Sequence, residues 1–290
     1  MGIGKSSRQQ VGIGILPLLL TQSLFFPASM QATPPEPPAG FRWAVNHTFT
    51  DEFSGSELDA SKWHDHNPSW IGRPPGKFMP SSVSVDGGFL KIQVTPLDSP
   101  QGEFSIAAGT IQSKSKEAHF GYYECRMKAS KLTTSSNIGM VGDGMEIPGG
   151  KLGFELIIQC TIGGSDEHAS YMKSNAMVAF RSDGEGARNE KAKQTDRLKL
   201  RSEVSDEFHT YGCWWVDANT IKFYVDGEYA YTLKPSTKFD EHPFRHPLSF
   251  NLVCEAFDWQ PLPSVSDLNN PKLNTAYFDY VRAYTLEMAE

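Results

Sequence analysis

The segment Ile221–Leu233, IKFYVDGEYAYTL, places Asp226 and Gly227 between two runs in which polar and large apolar residues alternate. A period of two puts one set of side chains on each face of a strand, and a central Asp-Gly pair is a strong short-range signal for a two-residue hairpin. The segment therefore predicts an antiparallel pair. The same period recurs on either side of it. In FLKIQV (Phe89–Val94), Leu90, Ile92 and Val94 share a face opposite Lys91 and Gln93. In YYECRMKA (Tyr122–Ala129), Tyr123, Cys125 and Met127 alternate with Glu124, Arg126 and Lys128, and AYFDYVRAYTL (Ala276–Leu286) closes the chain as another strand. Helical periodicity is scarce, and Gly, Pro and Asn turns separate the strands. These features predict an all-β protein, a β-sandwich jelly roll of two packed antiparallel sheets. Tyr122, Tyr123 and Tyr224 read as ordinary sheet residues. The stretch from Asp183 to Arg201 is polar, charged and free of aromatic residues, and is expected to be a surface loop or short helix. No internal repeat or second domain is evident.

The N-terminus carries Lys5 and Arg8, an apolar run from Val11 to about Met30, and a small-residue exit at Gln31 and Ala32. This is the pattern of a secretory signal peptide over residues 1–32. Pro17 and Pro27, with polar Thr21, Gln22 and Ser23 between them, argue against a membrane anchor. TPPEPPAG, residues 33–40, reads as an extended Pro-rich linker, leaving residues 41–290 as one domain. A secreted or periplasmic protein is expected, read as a monomer with no membrane partner after cleavage. Removal of residues 1–32 takes the formal charge from −7 to −9 over 258 residues. An acidic chain without a clustered basic surface is a poor partner for nucleic acid or anionic membrane. The four cysteines, Cys125, Cys160, Cys213 and Cys254, lie in strand-like apolar runs without metal-ligand spacing. Four buried thiols are expected, with Cys213 to Cys254 the first disulfide to test.

One strand carries a charge where its neighbours are apolar: Gly153–Cys160, GFELIIQC, contains Glu155 as its sole carboxylate. Its meaning comes from its surroundings. FTDEFSGSELDASKW (Phe49–Trp63), NPSWIGRPPGKFMPSSVSVDGGFLKIQV (Asn67–Val94) and SKSKEAHFGYYECRMKASKLTTSS (Ser113–Ser136) are followed by FHTYGCWW from Phe208, the FYVDG hairpin and the ending FDYVRAY. Together, over roughly Phe41 to Leu286, they resemble glycoside hydrolase family 16 in its β-agarase and β-porphyranase branch. The resemblance implies a concanavalin A-like, lectin/glucanase-type sandwich whose concave sheet forms a cleft for an agar-type galactan, hydrolysed with retention by two glutamates. The family's catalytic strand reads ExDxE or, with a bulge, ExDxxE. Glutamates four apart on a strand have Cα atoms about 13 Å apart. Inward-leaning side chains bring their carboxyls to the separation of about 5 to 5.5 Å that retention needs.

Carried onto this sequence, Glu155 takes the nucleophile position and Ile157 stands in place of the assisting Asp. The acid/base position falls on Gln159 without a bulge or on Cys160 with one, and the bulged register is favoured by Ile162, Gly163 and Gly164 after the strand. An amide cannot shuttle a proton and a thiol is a poor substitute. Two further departures are Gly139, where the family carries a sugar-stacking Trp, and Met177, where a Ser-Asn-x-His element loses its His but keeps Ser174 and Asn175. Groups that bind sugar persist: Trp70 to stack on a pyranose, Arg73 to reach hydroxyl or sulfate oxygens, and Glu255 with Trp259 at the second edge of the cleft. Weak or absent hydrolysis is therefore expected, the missing acid alone costing about 10²- to 10⁴-fold. The alternatives are an active β-agarase-like endo-glycosidase using Glu155 and a displaced donor, Asp166, Glu167 or His168, and a structural surface protein. No cofactor is required. The resemblance also implies a possible structural calcium on the convex face, held by N-terminal backbone oxygens and Asp279, with Asp51 or Glu52 nearby.

Overall fold

The computed structural model describes Met1, Gly2 and residues 34–183 and 188–289. The expected signal peptide thus lies outside the described residues, apart from Met1 and Gly2. Pro34–Gly40, the described part of the expected linker, forms no strand or helix, and Pro35 accepts a hydrogen bond from the Trp43 indole at 2.6 Å. Among the described residues no helix is long and apolar enough to cross a membrane.

In chain order the strands are β1 (Phe41–Val45), β2 (Trp63–His64), β3 (Gly72–Arg73), β4 (Gly76–Phe78), β5 (Val83–Asp86) and β6 (Phe89–Gln93). Next come β7 (Thr95–Gln101), β8 (Phe104–Ser113), β9 (Gly121–Lys128), β10 (Ser135–Ile147), β11 (Gly150–Ile162) and β12 (Tyr171–Ser182). The chain continues with β13 (Asn189–Lys199), β14 (His209–Asp217), β15 (Thr220–Val225), β16 (Glu228–Leu233), β17 (Ser249–Glu255), a four-residue helix α1 (Val265–Leu268) and β18 (Thr275–Met288). They form two sheets, ordered β16-β15-β14-β9-β18-β6-β5 with β1 beside β18, and β13-β12-β11-β10-β17-β8-β4-β3 with β2 and β7 beside β8. All pairings are antiparallel except β4 with β8. This is the expected jelly roll.

The period of two accounts for the core. Leu90, Ile92, Cys125, Met127, Cys213, Phe223 and Val281 of the first sheet meet Ile111, Ile138, Met140, Leu156, Ile158, Leu252 and Cys254 of the second, all fully buried. Each buried aliphatic side chain contributes about 1.5 to 3 kcal/mol. The Ile221–Leu233 hairpin forms as read. Asp226 and Gly227 sit at φ 51° and 84°, the turn whose twist matches the flanking strands. The Asp226 carboxylate accepts the Thr210 N–H at 2.8 Å and bonds the His209 ring at 2.8 Å, tying the turn to β14. All four cysteines are free thiols, and Cys160 is half-buried rather than sealed in the core.

One expectation fails. Most of the stretch from Asp183 to Arg201 is not a loop or helix but strand β13, paired with β12 from Arg181↔Asn189 to Tyr171↔Lys199. It lies at the edge of its sheet with almost every side chain exposed. Such a strand needs no apolar face, and its lysines discourage pairing with another chain. The carboxylates named for calcium have protein partners. The Asp279 carboxylate is bound by Arg126 at 2.6 Å. Asp51 accepts from the Phe53 N–H and the Trp63 indole, and Glu52 holds Arg282 at 2.7 and 2.9 Å. Among the described residues no three His, Cys, Asp or Glu side chains gather as a metal site.

Glu124 on β9 is fully buried, and neither carboxylate oxygen is hydrogen-bonded. Arg282, its cross-strand neighbour, turns to Glu52 instead. Burial pushes the Glu124 carboxyl up to about 7, with Tyr122 and Arg282 opposing and Glu52 adding to the rise. A carboxyl whose folded-state pKa is raised contributes its full stability below the unfolded value of 4.5, and loses it as pH rises through about 7. Glu124→Gln should therefore leave the melting temperature nearly unchanged at pH 4.5 and raise it at pH 8. Thermal melts across that range check the crossover.

Candidate functional site

The second sheet presents an open face whose floor alternates with the core. On β10, Ile138 and Met140 point inward, so Asn137, Gly139 and Val141 take the other face. On β11, Phe154, Leu156 and Ile158 point inward, and Glu155 and Ile157 line the cleft. A bulge then breaks the alternation: Ile157 pairs with Gly139 but Gln159 pairs with Ile138, leaving Ile158 as the extra residue. Gln159 is fully buried, and its amide stands in for ladder bonds, donating to the Tyr171 carbonyl at 3.2 Å and accepting the Lys173 N–H at 2.8 Å. Cys160 therefore emerges in the cleft and Gln159 does not.

The cleft encloses about 430 Å³ and continues into a second space of about 620 Å³ past Trp70, Gly153 and Arg181. Its far floor comes from Asn175 and Met177 on β12, Lys191 and Lys193 on β13, and Asn251, Val253 and Glu255 on β17. Its rim is aromatic. Trp70, 39% exposed, stands edge-on to Phe78 at 5.2 Å, and Trp259, 56% exposed, stacks on Phe257 at 4.5 Å. The Arg73 guanidinium lies between them, 5.5 Å from the Trp70 ring and 5.7 Å from that of Phe257. This loop needs its glycine: Gly72 has φ 110°, and a Cβ there would lie 2.5 Å from the Gly76 carbonyl. Trp70, Arg73, Asn175, Glu255 and Trp259, all expected from the sequence, thus share one cleft with Glu155, Ile157 and Cys160.

Its electrostatics are set by burial. The Glu155 carboxyl is raised by desolvation, opposed by Lys193, Lys191, Arg73 and the Asn175 amide. Glu255 is pushed up to about 7 by desolvation, with Arg73 opposing and Glu155 adding to the rise. The Arg73 Nε lies 3.9 Å from Glu255, an ion pair too long for a hydrogen bond. Burial likewise pushes the Cys160 thiol up to about 11. Three acceptors in the cleft, Glu255 Oε2, Asn175 Oδ1 and Asn251 Oδ1, have no hydrogen-bond partner. Such oxygens call for donors, and hydroxyl groups supply them.

Gly139 and Ile157 are physically linked. A Cβ at Gly139 would sit 2.7 Å from the Ile157 Cδ1 and 3.1 Å from the Leu156 carbonyl. The isoleucine thus leans across the strand over the glycine. Beside Cys160, Glu167 and His168 line a small cavity with Tyr171, Lys173 and Arg197, and His168 lies 6.5 Å from the Trp259 ring. Asp166 does not line it. The residues missed from sequence are Asn137, Asn251, Phe257, Lys191 and Lys193. The two lysines carried a signal, the alternating Lys-Ala-Lys of a strand, obscured by the loop reading of that stretch.

A family model described as β-porphyranase A–D, glycoside hydrolase family 16 domain, matches residues 43–286. Among characterised relatives, β-porphyranase E of Zobellia galactanivorans is 41% identical over 258 residues, covering 86% of this chain and 90% of its own. The crystal structure of the β-porphyranase BpGH16B from the human gut bacterium Bacteroides plebeius superposes with a TM-score of 0.81 at 39% identity, covering 88% of this chain and 96% of that one. Porphyranase B of Zobellia galactanivorans gives a TM-score of 0.75 at 28% identity, covering 88% and 97%.

The linkage of Gly139 to Ile157 yields a stability cycle. Gly139→Trp should destabilise the protein by about 1 to 3 kcal/mol through overpacking. In an Ile157→Ala background the added cost should shrink. Urea denaturation of the two single variants and the double variant measures the coupling, and additive costs would mean the two sites are independent.

Proposed function

The chain belongs to the β-porphyranase group of glycoside hydrolase family 16, and from that membership we propose that it is an exported galactan-binding protein in which hydrolysis is weak or lost. The observation that carries this reading is a split within one cleft: sugar-holding groups are kept and proton-transfer groups are replaced. Trp70 and Trp259 offer faces to pyranose rings, and Arg73 is held between aromatic rings. The ligand class is an agar-type galactan, agarose or porphyran, in keeping with relatives named β-porphyranases and β-agarases. Secretion or a periplasmic location, and action as a monomer, complete the proposal.

The chemical argument concerns the two halves of retention. In the first, Glu155 attacks the anomeric carbon while an acid protonates the leaving oxygen; in the second, that acid's conjugate base activates water. A thiol at about 11 is a weak acid for the first half, and at pH 7 only about one molecule in 10⁴ is thiolate for the second. Ile157 removes the carboxyl expected beside the nucleophile. Glu155 alone can form an encounter with the sugar without completing the cycle.

A second reading, residual retaining hydrolysis, draws on Glu167 and His168 lining the cavity beside Cys160. Either would act as a displaced donor to the leaving oxygen. The two readings separate in one experiment. Purified protein is incubated with porphyran, agarose, carrageenan and laminarin for reducing-end release, and run in native gels containing each polymer. Expected are no release above the Glu155→Gln background, and retardation by agar-type galactans that Trp70→Ala and Trp259→Ala abolish. Turnover that Glu155→Gln removes would establish hydrolysis, with Glu167→Gln and His168→Ala then identifying the donor. Absence of both turnover and retardation would leave a structural role. Joint restoration by Ile157→Asp, Cys160→Glu, Gly139→Trp and Met177→His should produce reducing ends, whereas Ile157→Asp with Cys160→Glu alone should yield less.

A further inference from the structure

The cleft of this acidic chain is bordered by cations on both edges of its sheet. The strand order places β3, with Arg73, at one end and β13, with Lys191 and Lys193, at the other, and all three side chains line the same cleft. Glu155, between them, is influenced by Lys193 first, then Lys191, then Arg73. The β13 lysines are two apart and share a face. Lys193 stands in register with Met177 and, beyond it, Glu155. Lys191 stands in register with Ala179 and, beyond it, Gly153, a row with no side chain larger than a methyl group between the lysine and the middle of the cleft.

Among the described residues neither lysine forms a salt bridge or a side-chain hydrogen bond. Their acidic neighbour Glu190 is already held by Lys238 at 2.8 Å. Two features make the cleft hospitable to an anion. Three cations border it against two carboxyls, and one of those, Glu255, is pushed up to about 7 by burial and so is only partly ionised at neutral pH. In a chain of formal charge −7, that is a local inversion of sign. The adjoining space carries Arg181 as well, whereas Lys151 there is engaged by Glu146 at 2.6 Å.

Building on the binding reading above, we propose that Lys191 and Lys193 form an anion subsite for a sulfate ester of the bound galactan, on the cleft edge opposite Arg73. Ammonium groups act as mobile point charges that reach tetrahedral oxyanions without a fixed fork geometry. A sulfated chain crossing the cleft would then be held at both edges, and its neutral counterpart by aromatic faces and hydroxyl acceptors alone.

The test compares the full chain and its Lys191→Gln/Lys193→Gln variant in native gels containing porphyran, chemically desulfated porphyran or agarose. The wild type should be retarded most by the sulfated polymer, more weakly as salt is added. The double variant should lose about tenfold in affinity for the sulfated polymer, the scale of a charge-assisted contact, with little change toward the neutral ones. Lys191→Arg/Lys193→Arg should recover the preference. Because the lysines can also serve as counter-ions to Glu155, the comparison is repeated in a Glu155→Gln background, where the loss should persist. Equal retardation of the wild type by sulfated and desulfated polymer, parallel loss toward both in the variant, or disappearance of the loss with Glu155→Gln would each overturn the subsite while leaving galactan binding intact. A wild type retarded by none of the polymers would overturn the binding reading and the subsite together.

Discussion

The cleft depends on one irregularity in its sheet, the extra residue that β11 carries against β10 at Ile158. Were β11 regular, Gln159 would face the cleft and Cys160 the core. The bulge persists because its cost is compensated locally. Where the ladder to β12 ends at Ile157↔Asn175, the Gln159 side chain reaches the Tyr171 carbonyl and the Lys173 N–H and satisfies groups that would otherwise be left unpaired. A buried glutamine inside an apolar strand is thus a backbone surrogate. It also orients everything C-terminal to it, including the turn that carries Glu167 and His168 to the cavity beside Cys160.

Around that bulge the replacements are consistent with one another. The Ile157 terminal methyl lies over Gly139, filling the space a side chain there would need. An aspartate at 157 would leave that volume open, and a tryptophan at 139 would collide with the isoleucine. The two departures are better understood as one repacked patch of floor than as separate losses. Cys160 is likewise a smaller, less hydrophilic occupant than a glutamate, and its burial holds the thiol protonated. Ile157 and Cys160 make this part of the floor apolar, while Trp70, Phe257 and Trp259 give the rim aromatic faces.

The parts legible in the sequence were those that depend on local period and turn chemistry. Asp226 and Gly227 announce their hairpin because only a few residue types tolerate two successive positive φ values, and the core faces of β9, β6 and β18 follow from alternation alone. Trp70, Arg73, Glu255 and Trp259 converge from distant segments, and their common cleft was legible only through the resemblance of the whole chain. What stayed hidden depends on neighbours across strands. Asp279 has the right residue type for a calcium ligand, but it is the extra residue where β18 shifts register against β9, and there it meets Arg126. Strand β13 announces itself only through its short Lys-Ala-Lys alternation, because an exposed edge strand is held by its ladder and not by an apolar face. Its two lysines stayed hidden with it.

The place of Glu155 in a cleft floored by Ile157 and Cys160 follows from electrostatics as well. A hydrolytic cleft with three carboxyls must hold several negative charges in a partly dry space, and repels an anionic polymer unless protons or cations offset them. Replacing two of those positions with isoleucine and cysteine leaves Glu155 with Lys191, Lys193 and Arg73 around it, each favouring its ionised form against the cost of burial. In the proposed binding reading, Glu155 is tolerated without a catalytic role. There it can accept sugar hydroxyls as a hydrogen-bond acceptor, with Lys193 and Lys191 acting on it electrostatically from β13. In the proposed reading, loss of proton transfer and positive character at the cleft edge are two consequences of the same residues, Ile157 and Cys160 on the floor and Lys191 and Lys193 on β13.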